Sequence, residues 1–162
     1  MAQELMPVSE ARQRILANLP TMPGEQVALT EAHGRVLSED VAARVTQPPL
    51  AVSAMDGYAV RAADVVNVPV DLTIIGEVPA GSFYDGTLSA GDAVRIFTGA
   101  ALPACADAIV IQEDTARNGD TVTVKESSAE GRYVRKAGLD FAEGDVLLKA
   151  GTVLSARDIG LA

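Results

Sequence analysis

The 162-residue chain carries 13 Lys+Arg against 22 Asp+Glu, a formal charge of -9, and that sign excludes a nucleic-acid backbone as its partner, because phosphate binding draws on clustered cations. Apolar residues make up 48% but aromatics only 4%, with no Trp, so any core must be built from Val, Ile, Leu and Ala. A single cysteine, Cys105, and a single histidine, His33, exclude an internal disulfide and a Cys/His zinc site.

The N-terminal stretch MAQELMPVSEARQRIL has neither a signal-peptide core nor a membrane span, so a cytoplasmic protein without a membrane partner is expected. Ser9 is placed to cap a helix running to about Leu19, with Val8 as its staple and Ile15, Leu16 and Leu19 on one face, and Pro20 ends it. Thr30 opens a short helical turn that Gly34 closes, and the pattern from Val36 to Val45 shifts toward strand. The pair Pro48-Pro49 then forces an extended turn.

The middle of the chain predicts a small all-β unit. Asp71 to Val78 reads as a strand with a bulge at Gly76, and Ala93 to Phe97 and Ala108 to Gln112 read as short apolar strands. Asn118-Gly119 is a hairpin turn leading into the alternating TVTVKE. Gly131 to Lys136 and Val146 to Leu148 are strand-like. Ser155 to Asp158 is a capped helix start, and its position near Ala162 leads us to expect a further domain beginning near 155.

Three polar residues stand in apolar, glycine-bearing settings: Asp56 in SAMDGYAV, Thr98 in RIFTGAALP and Asp140 in RKAGLDFAEGD. Each is either a turn residue that satisfies its own loop or a side-chain oxygen offered at a strand end beside a glycine N–H. Arg132, Arg135 and Lys136 form the one basic cluster, either an anion clamp or a solvated strand face. Glu113 and Asp114 adjoin, but neighbouring strand residues point to opposite faces, which disfavours a shared cation.

The segments PPLAVSAMDGYAV, GEVPAGSF, RIFTGAALPACADAIVIQEDT and YVRKAGLDFAEGDVLLKAGTVLSARDIGLA, in this order and spacing, resemble the N-terminal half of the molybdopterin molybdenumtransferases, the bacterial MoeA type and the E domain of gephyrin. The resemblance implies insertion of molybdate into the dithiolene of adenylylated molybdopterin, with release of AMP and use of Mg²⁺. It implies a cytoplasmic homodimer, with the molybdopterin adenylyltransferase and molybdoenzymes as partners. It assigns catalysis to Asp56, Thr98 and Asp140, leaving the metal ligands unknown.

Charge divides the roles further. Molybdate is a dianion and calls for donors, so Ser53, Thr98, backbone N–H groups near Gly57 and Gly99, Arg135 and Lys136 are the expected contacts to substrate. Asp56 and Asp140 would hold Mg²⁺, orient a water on the phosphoanhydride or accept a thiol proton.

The fold expected is α+β and mostly β: an elongated two-lobe region with residues 1–45 and 137–162 in one lobe and 46–136 as an inserted β-rich lobe. The early helix is expected to find its apolar partner in Val146 to Leu154. The molybdopterin-binding domains of the family are expected to be absent from this chain. A non-catalytic β-rich dimerisation or binding module is the alternative, and a hydrolase pairing Asp56 with Asp140 is a weaker rival.

Overall fold

The computed structural model describes residues 6–162. Along the chain lie α1 (Val8–Ala17), β1 (Val41–Ala42), β2 (Val52–Ser53), β3 (Gly57–Val60), β4 (Val70–Val78), β5 (Asp92–Ile96) and β6 (Ala108–Ile111). There follow β7 (Thr115–Asn118), β8 (Thr121–Val124), β9 (Val134–Arg135), β10 (Val146–Leu148) and α2 (Ala156–Leu161). The chain is therefore mostly β with two short helices, as expected. It divides into two units, the residues up to Val41 with Leu148–Ala162, and Ala42–Leu147.

The larger unit is organised by a six-stranded sheet in the order β6-β3-β5-β4-β8-β7. Only β4 and β5 run parallel, and the register between them shifts between Ile74 and Gly76, where the sequence predicts a bulge. The hairpin also forms where Asn118-Gly119 places it, with Asn118 opposite Thr121.

β3 and β6 are buried on both faces, which explains why they read as unbroken apolar runs and not as alternation. Tyr58, Val60, Leu72, Ala93, Val110, Val122 and Val124 pack on one face, with Val65 from the connection after β3. Ala59, Val78, Val94, Ile96 and Ile109 pack on the other, closed by Leu88 and Ala100. All four residues of β3 are buried.

Two smaller pairings use the rest of the strands, β2 with β9 and β1 with β10. Residues 138–145 remain with the larger unit: the Gly138 N–H donates to the Pro48 carbonyl at 2.9 Å, the Asp140 N–H to Gln47 at 3.0 Å and the Gly144 N–H to Ala43 at 2.9 Å. The chain thus leaves this unit after Leu147, later than the boundary near 137 expected from the sequence.

In the smaller unit, α1 begins one residue before the expected cap. Pro7 takes the N-cap position with no side-chain bond, Val8 is largely exposed instead of stapled, and the helix ends at Ala17. Pro7 stands in extended backbone and its carbonyl accepts the Ala11 N–H at 3.0 Å, so the helix begins at Val8 and Ser9 falls inside the first turn.

No residue of α1 is buried, and the partner expected for it is taken elsewhere. Ala32 packs with Leu148 and Leu154, flanked by Leu37, Val41 and Ile159. The ribbon of 34–37 against 151–154 supplies the backbone bonds: Gly34 N–H to Leu154 C=O at 2.8 Å, Leu37 N–H to Thr152 C=O at 2.9 Å and Leu154 N–H to Arg35 C=O at 2.8 Å.

The helix start at Ser155 is a complete capping box. The Asp158 N–H donates to the Ser155 hydroxyl, and the Ser155 N–H donates back to the Asp158 carboxylate at 2.8 Å. The Ser155 hydroxyl and N–H groups together hold the Asp158 carboxyl below its ordinary value. Ser155→Ala is expected to cost about 1 kcal/mol of stability, read as a lower urea midpoint at unchanged slope.

Candidate functional site

The Ser53–Gly57 turn is fixed from every side by the backbone. Ser53 is buried, donates its N–H to Ala100 C=O and its hydroxyl to Met55 C=O at 2.6 Å, and accepts the Met55 N–H at 3.3 Å. The Ala54 N–H donates to Tyr133 C=O, and the Gln112 N–H donates to Asp56 C=O at 3.0 Å. The Ser53 hydroxyl thus builds the turn.

Gly57 then enters β3 between two neighbours, opposite Ile96 on β5 and Ile111 on β6. A Cβ there would stand 2.0 Å from the Val110 carbonyl oxygen, so only glycine lets the strand pass. This explains the Asp-Gly pair: the glycine lets the strand enter the sheet, and the aspartate sits at its mouth.

The Asp56 carboxylate reaches the turn after β5. Its Oδ1 accepts both the Thr98 N–H and the Thr98 hydroxyl at 2.8 Å. These two bonds, the N–H first, hold the Asp56 carboxyl below its ordinary value, with a further contribution from the positive charge of Arg95. Asp56 is accordingly an anion at neutral pH. Gly99 follows with φ +83, and its N–H donates to Ser53 C=O at 2.9 Å, which ties the two turns together.

Arg135 and Asp140 reach the same region by another route. In the β2–β9 pair Val52 faces Arg135 and Ser53 faces Val134. One guanidinium nitrogen of Arg135 donates to both Asp140 oxygens, at 2.8 and 2.9 Å. The partners are both half exposed, so the pair orients the guanidinium more than it stabilises the fold. Lys136 is exposed beside them and forms no ion pair among the described residues.

A cleft of about 340 Å³ is lined by Pro48, Pro49, Leu50, Phe83, Gly99 and Arg135 among others, so it meets Gly99, the neighbour of Thr98, and Arg135, the partner of Asp140, while Asp56 and Thr98 lie outside its lining. Its size suits a small ligand. A larger groove of about 910 Å³ in the smaller unit is lined by Met22, Val27, Val36, Leu37 and Leu154, with Glu25 and Arg35, themselves ion-paired, at its wall. It is the larger space but brings no set of reactive side chains together, so the cleft beside Gly99 is the candidate site.

The structure therefore brings Asp56 and Thr98 into direct contact, carries Gly57, Gly99 and Ser53 in the turns that hold them, and places Arg135, paired with Asp140, on the wall of the cleft that Gly99 also lines. No bond joins the two carboxylates: Asp56 is engaged by Thr98 and Asp140 by Arg135. Glu113 and Asp114 lie in a single helical turn, Gln112–Asp114, beyond the end of β6. Among the described residues no group of three His, Cys, Asp or Glu is arranged to hold a metal ion. Cys105 is exposed in a loop, and His33 is exposed as well.

Sequence reasoning missed Arg95, Gln112 and Phe83. Arg95 carried a signal in AVRIF: a cation two residues before an aromatic on the same strand face, where neighbouring positions are core.

The family described as the MoeA N-terminal region (domain I and II) matches residues 6–162. The chain is 35% identical over 160 residues to a molybdopterin molybdenumtransferase of Staphylococcus aureus (strain MRSA252), and 38% identical over 165 residues to that of Nostoc sp. (strain PCC 7120 / SAG 25.82 / UTEX 2576). Each match covers 96% of this chain and 38% of the relative, so the chain spans well under half the length of these relatives. The crystal structure of the molybdopterin biosynthesis moeA protein from Pyrococcus horikoshii OT3 superposes with a TM-score of 0.92 at 36% identity, over 98% of this chain and 43% of that one. The chain belongs to the MoeA N-terminal family, a homologue of the N-terminal part of the molybdopterin molybdenumtransferases of molybdenum cofactor biosynthesis.

Proposed function

We propose that this chain forms one wall of a molybdenum-insertion site, in a protein that transfers molybdate into adenylylated molybdopterin and releases AMP. The observation that carries the reading is the contact of the ionised Asp56 with Thr98, one residue before Gly99 on the cleft wall. Family membership supports molybdate and molybdopterin as the substrates. The same membership supports a cytoplasmic homodimer that works between the adenylyltransferase and the molybdoenzymes; among the described residues no helix is long and apolar enough to cross a membrane.

The hydrogen bonds support a division of roles. The Ser53 and Thr98 hydroxyl protons and the Thr98 and Gly99 N–H groups are already donated within the protein. Arg135 keeps guanidinium N–H groups beyond those given to Asp140, so it is the anion donor on the cleft, and Asp140 is its orienting partner. Asp56 uses Oδ1 for Thr98 and leaves Oδ2 open. A carboxylate held below its usual range is a poor proton acceptor, which favours a role in orienting a water or a substrate donor over removing a thiol proton.

The residues present do not fit a resident Mg²⁺ centre. Both Asp140 oxygens are taken by Arg135, and no third acidic group joins Asp56 among the described residues.

The reading is tested by joining the chain to the C-terminal portion of the Nostoc relative and measuring AMP release from adenylylated molybdopterin with molybdate. Release by the chimera is expected, and none from the 162-residue chain alone. A folded chimera without activity, alongside an active Nostoc parent, sinks the reading.

A further inference from the structure

We propose that Arg95 is a positioning residue of the Asp56 site, a clamp whose guanidinium holds the Asp56-Gly57 turn against the Gln112 turn. The proposal takes Asp56 and Thr98 as the site, as in the reading above. Arg95 lies on β5 directly opposite Tyr58 on β3. Its guanidinium carbon lies 5.2 Å from the centre of the Tyr58 ring and 4.7 Å from that of Phe97, which fixes the plane of the group.

So held, the fork donates in two directions: Nη1 to the Gly57 carbonyl at 3.1 Å and Nη2 to Gln112 Oε1 at 2.7 Å. Gln112 in turn donates its backbone N–H to Asp56 C=O. The contacts close a loop from Arg95 through Gly57, Asp56 and Gln112 back to Arg95. From that loop the Asp56 carboxylate reaches out to Thr98, and the Gln112 amide nitrogen reaches out to Glu113.

Two further features separate this arrangement from ordinary surface packing. Arg95 is part-buried yet has no carboxylate at ion-pair distance among the described residues. Its donors go to neutral acceptors, so its charge is left to act on the nearby Asp56. A planar fork is also needed: a lysine ammonium in the same place can reach one acceptor but cannot span Gly57 and Gln112.

The test compares Arg95→Lys and Arg95→Gln with the unaltered chain by amide hydrogen exchange and NMR. The Thr98 amide reports the bond to Asp56, the Gln112 amide reports the loop, and the Val122 and Val124 amides in β8 report the sheet. In Arg95→Lys, exchange at Thr98 and Gln112 is expected to speed up by about tenfold or more while Val122 and Val124 stay unchanged, because local opening is uncoupled from global unfolding. The Thr98 amide proton resonance should shift in both variants.

Unaltered protection at Thr98 in Arg95→Lys overturns the proposal, and so does an equal loss at all four amides, which would mark Arg95 as a general structural residue. In the chimera, Arg95→Lys is expected to lower kcat on the order of tenfold with KM for molybdate little changed, since displacement at a site costs turnover before affinity. A loosened Thr98 with undiminished turnover would leave the clamp standing and remove Asp56 from the site.

Discussion

Asp56→Asn in the chimera is expected to lower molybdenum insertion by roughly 10²- to 10³-fold, the scale of losing one preorganised polar group at a reacting centre. The substitution isolates charge from structure. An amide oxygen at the Oδ1 position can still accept the Thr98 N–H and hydroxyl, and the Gln112 bond goes to the backbone of Asp56 and is untouched. Folding is therefore expected to survive, measured as a single cooperative melting transition at neutral pH whose midpoint falls only slightly. Thr98→Val is the companion, removing the hydroxyl at nearly constant volume.

The pH dependence has a definite sign. Because the folded Asp56 carboxyl is held below its ordinary value, ionisation stabilises the fold at any pH above that value. This contribution is lost as pH falls through the folded value. Any stability advantage of the unaltered chain over Asp56→Asn should thus be present at neutral pH and vanish in acid. An advantage that grows as pH falls would show that the carboxyl is not ionised in the folded state.

Gly57→Ala carries the largest expected effect on stability, about 3–5 kcal/mol, a range reserved for a few mechanisms of which core overpacking is one. The atoms that an alanine Cβ would meet are backbone: the Val110 carbonyl oxygen at 2.0 Å and the Ile111 Cα at 2.9 Å. No rotamer change can relieve them. Either β6 must move away from β3, breaking a register that runs from Gly57–Ile111 to Val60–Ala108, or the turn carrying Asp56 must shift. Urea denaturation of Gly57→Ala beside Gly160→Ala separates this from a general glycine effect, because nothing lies near a Cβ at Gly160. A loss under 1 kcal/mol at Gly57 would mean that β3 and β6 are less tightly apposed than they appear.

Much of the β architecture is legible because short strands bounded by Gly, Pro and Asp are local signals. The bulge at Gly76 and the hairpin at Asn118-Gly119 follow from backbone chemistry within a few residues. What is not legible depends on long-range pairing. β2 and β9 have two residues each and exist only because Val52 and Ser53 meet Arg135 and Val134 some eighty positions away. The apolar stripe of α1 suggested a partner, yet the site it would occupy against Leu148 and Leu154 is filled by Ala32, a residue too small to announce itself.

The site shows the same division. Asp56, Thr98 and Asp140 stand out because a polar residue beside glycine in an apolar frame conflicts with its surroundings, and such conflicts gather at functional positions. Pattern could not reveal that the Ser53 hydroxyl closes its own turn or that Asp140 orients Arg135, because both depend on where a side chain points after folding. Arg95 escaped notice because its two acceptors, Gly57 and Gln112, lie on either side of it in sequence and meet it only through β3.

The larger unit is one uninterrupted run, Ala42–Leu147, whereas the smaller takes its residues from both flanks of that run. During synthesis the six-stranded sheet can close once Val124 has left the ribosome, and its unit is complete at Leu147. Ala32, made more than a hundred residues earlier, must wait for Leu148 and Leu154 before it has anything to pack against. The nascent chain is thus ordered in its middle before its beginning, and the residues around Ala32 remain open to chaperones and proteases throughout that interval.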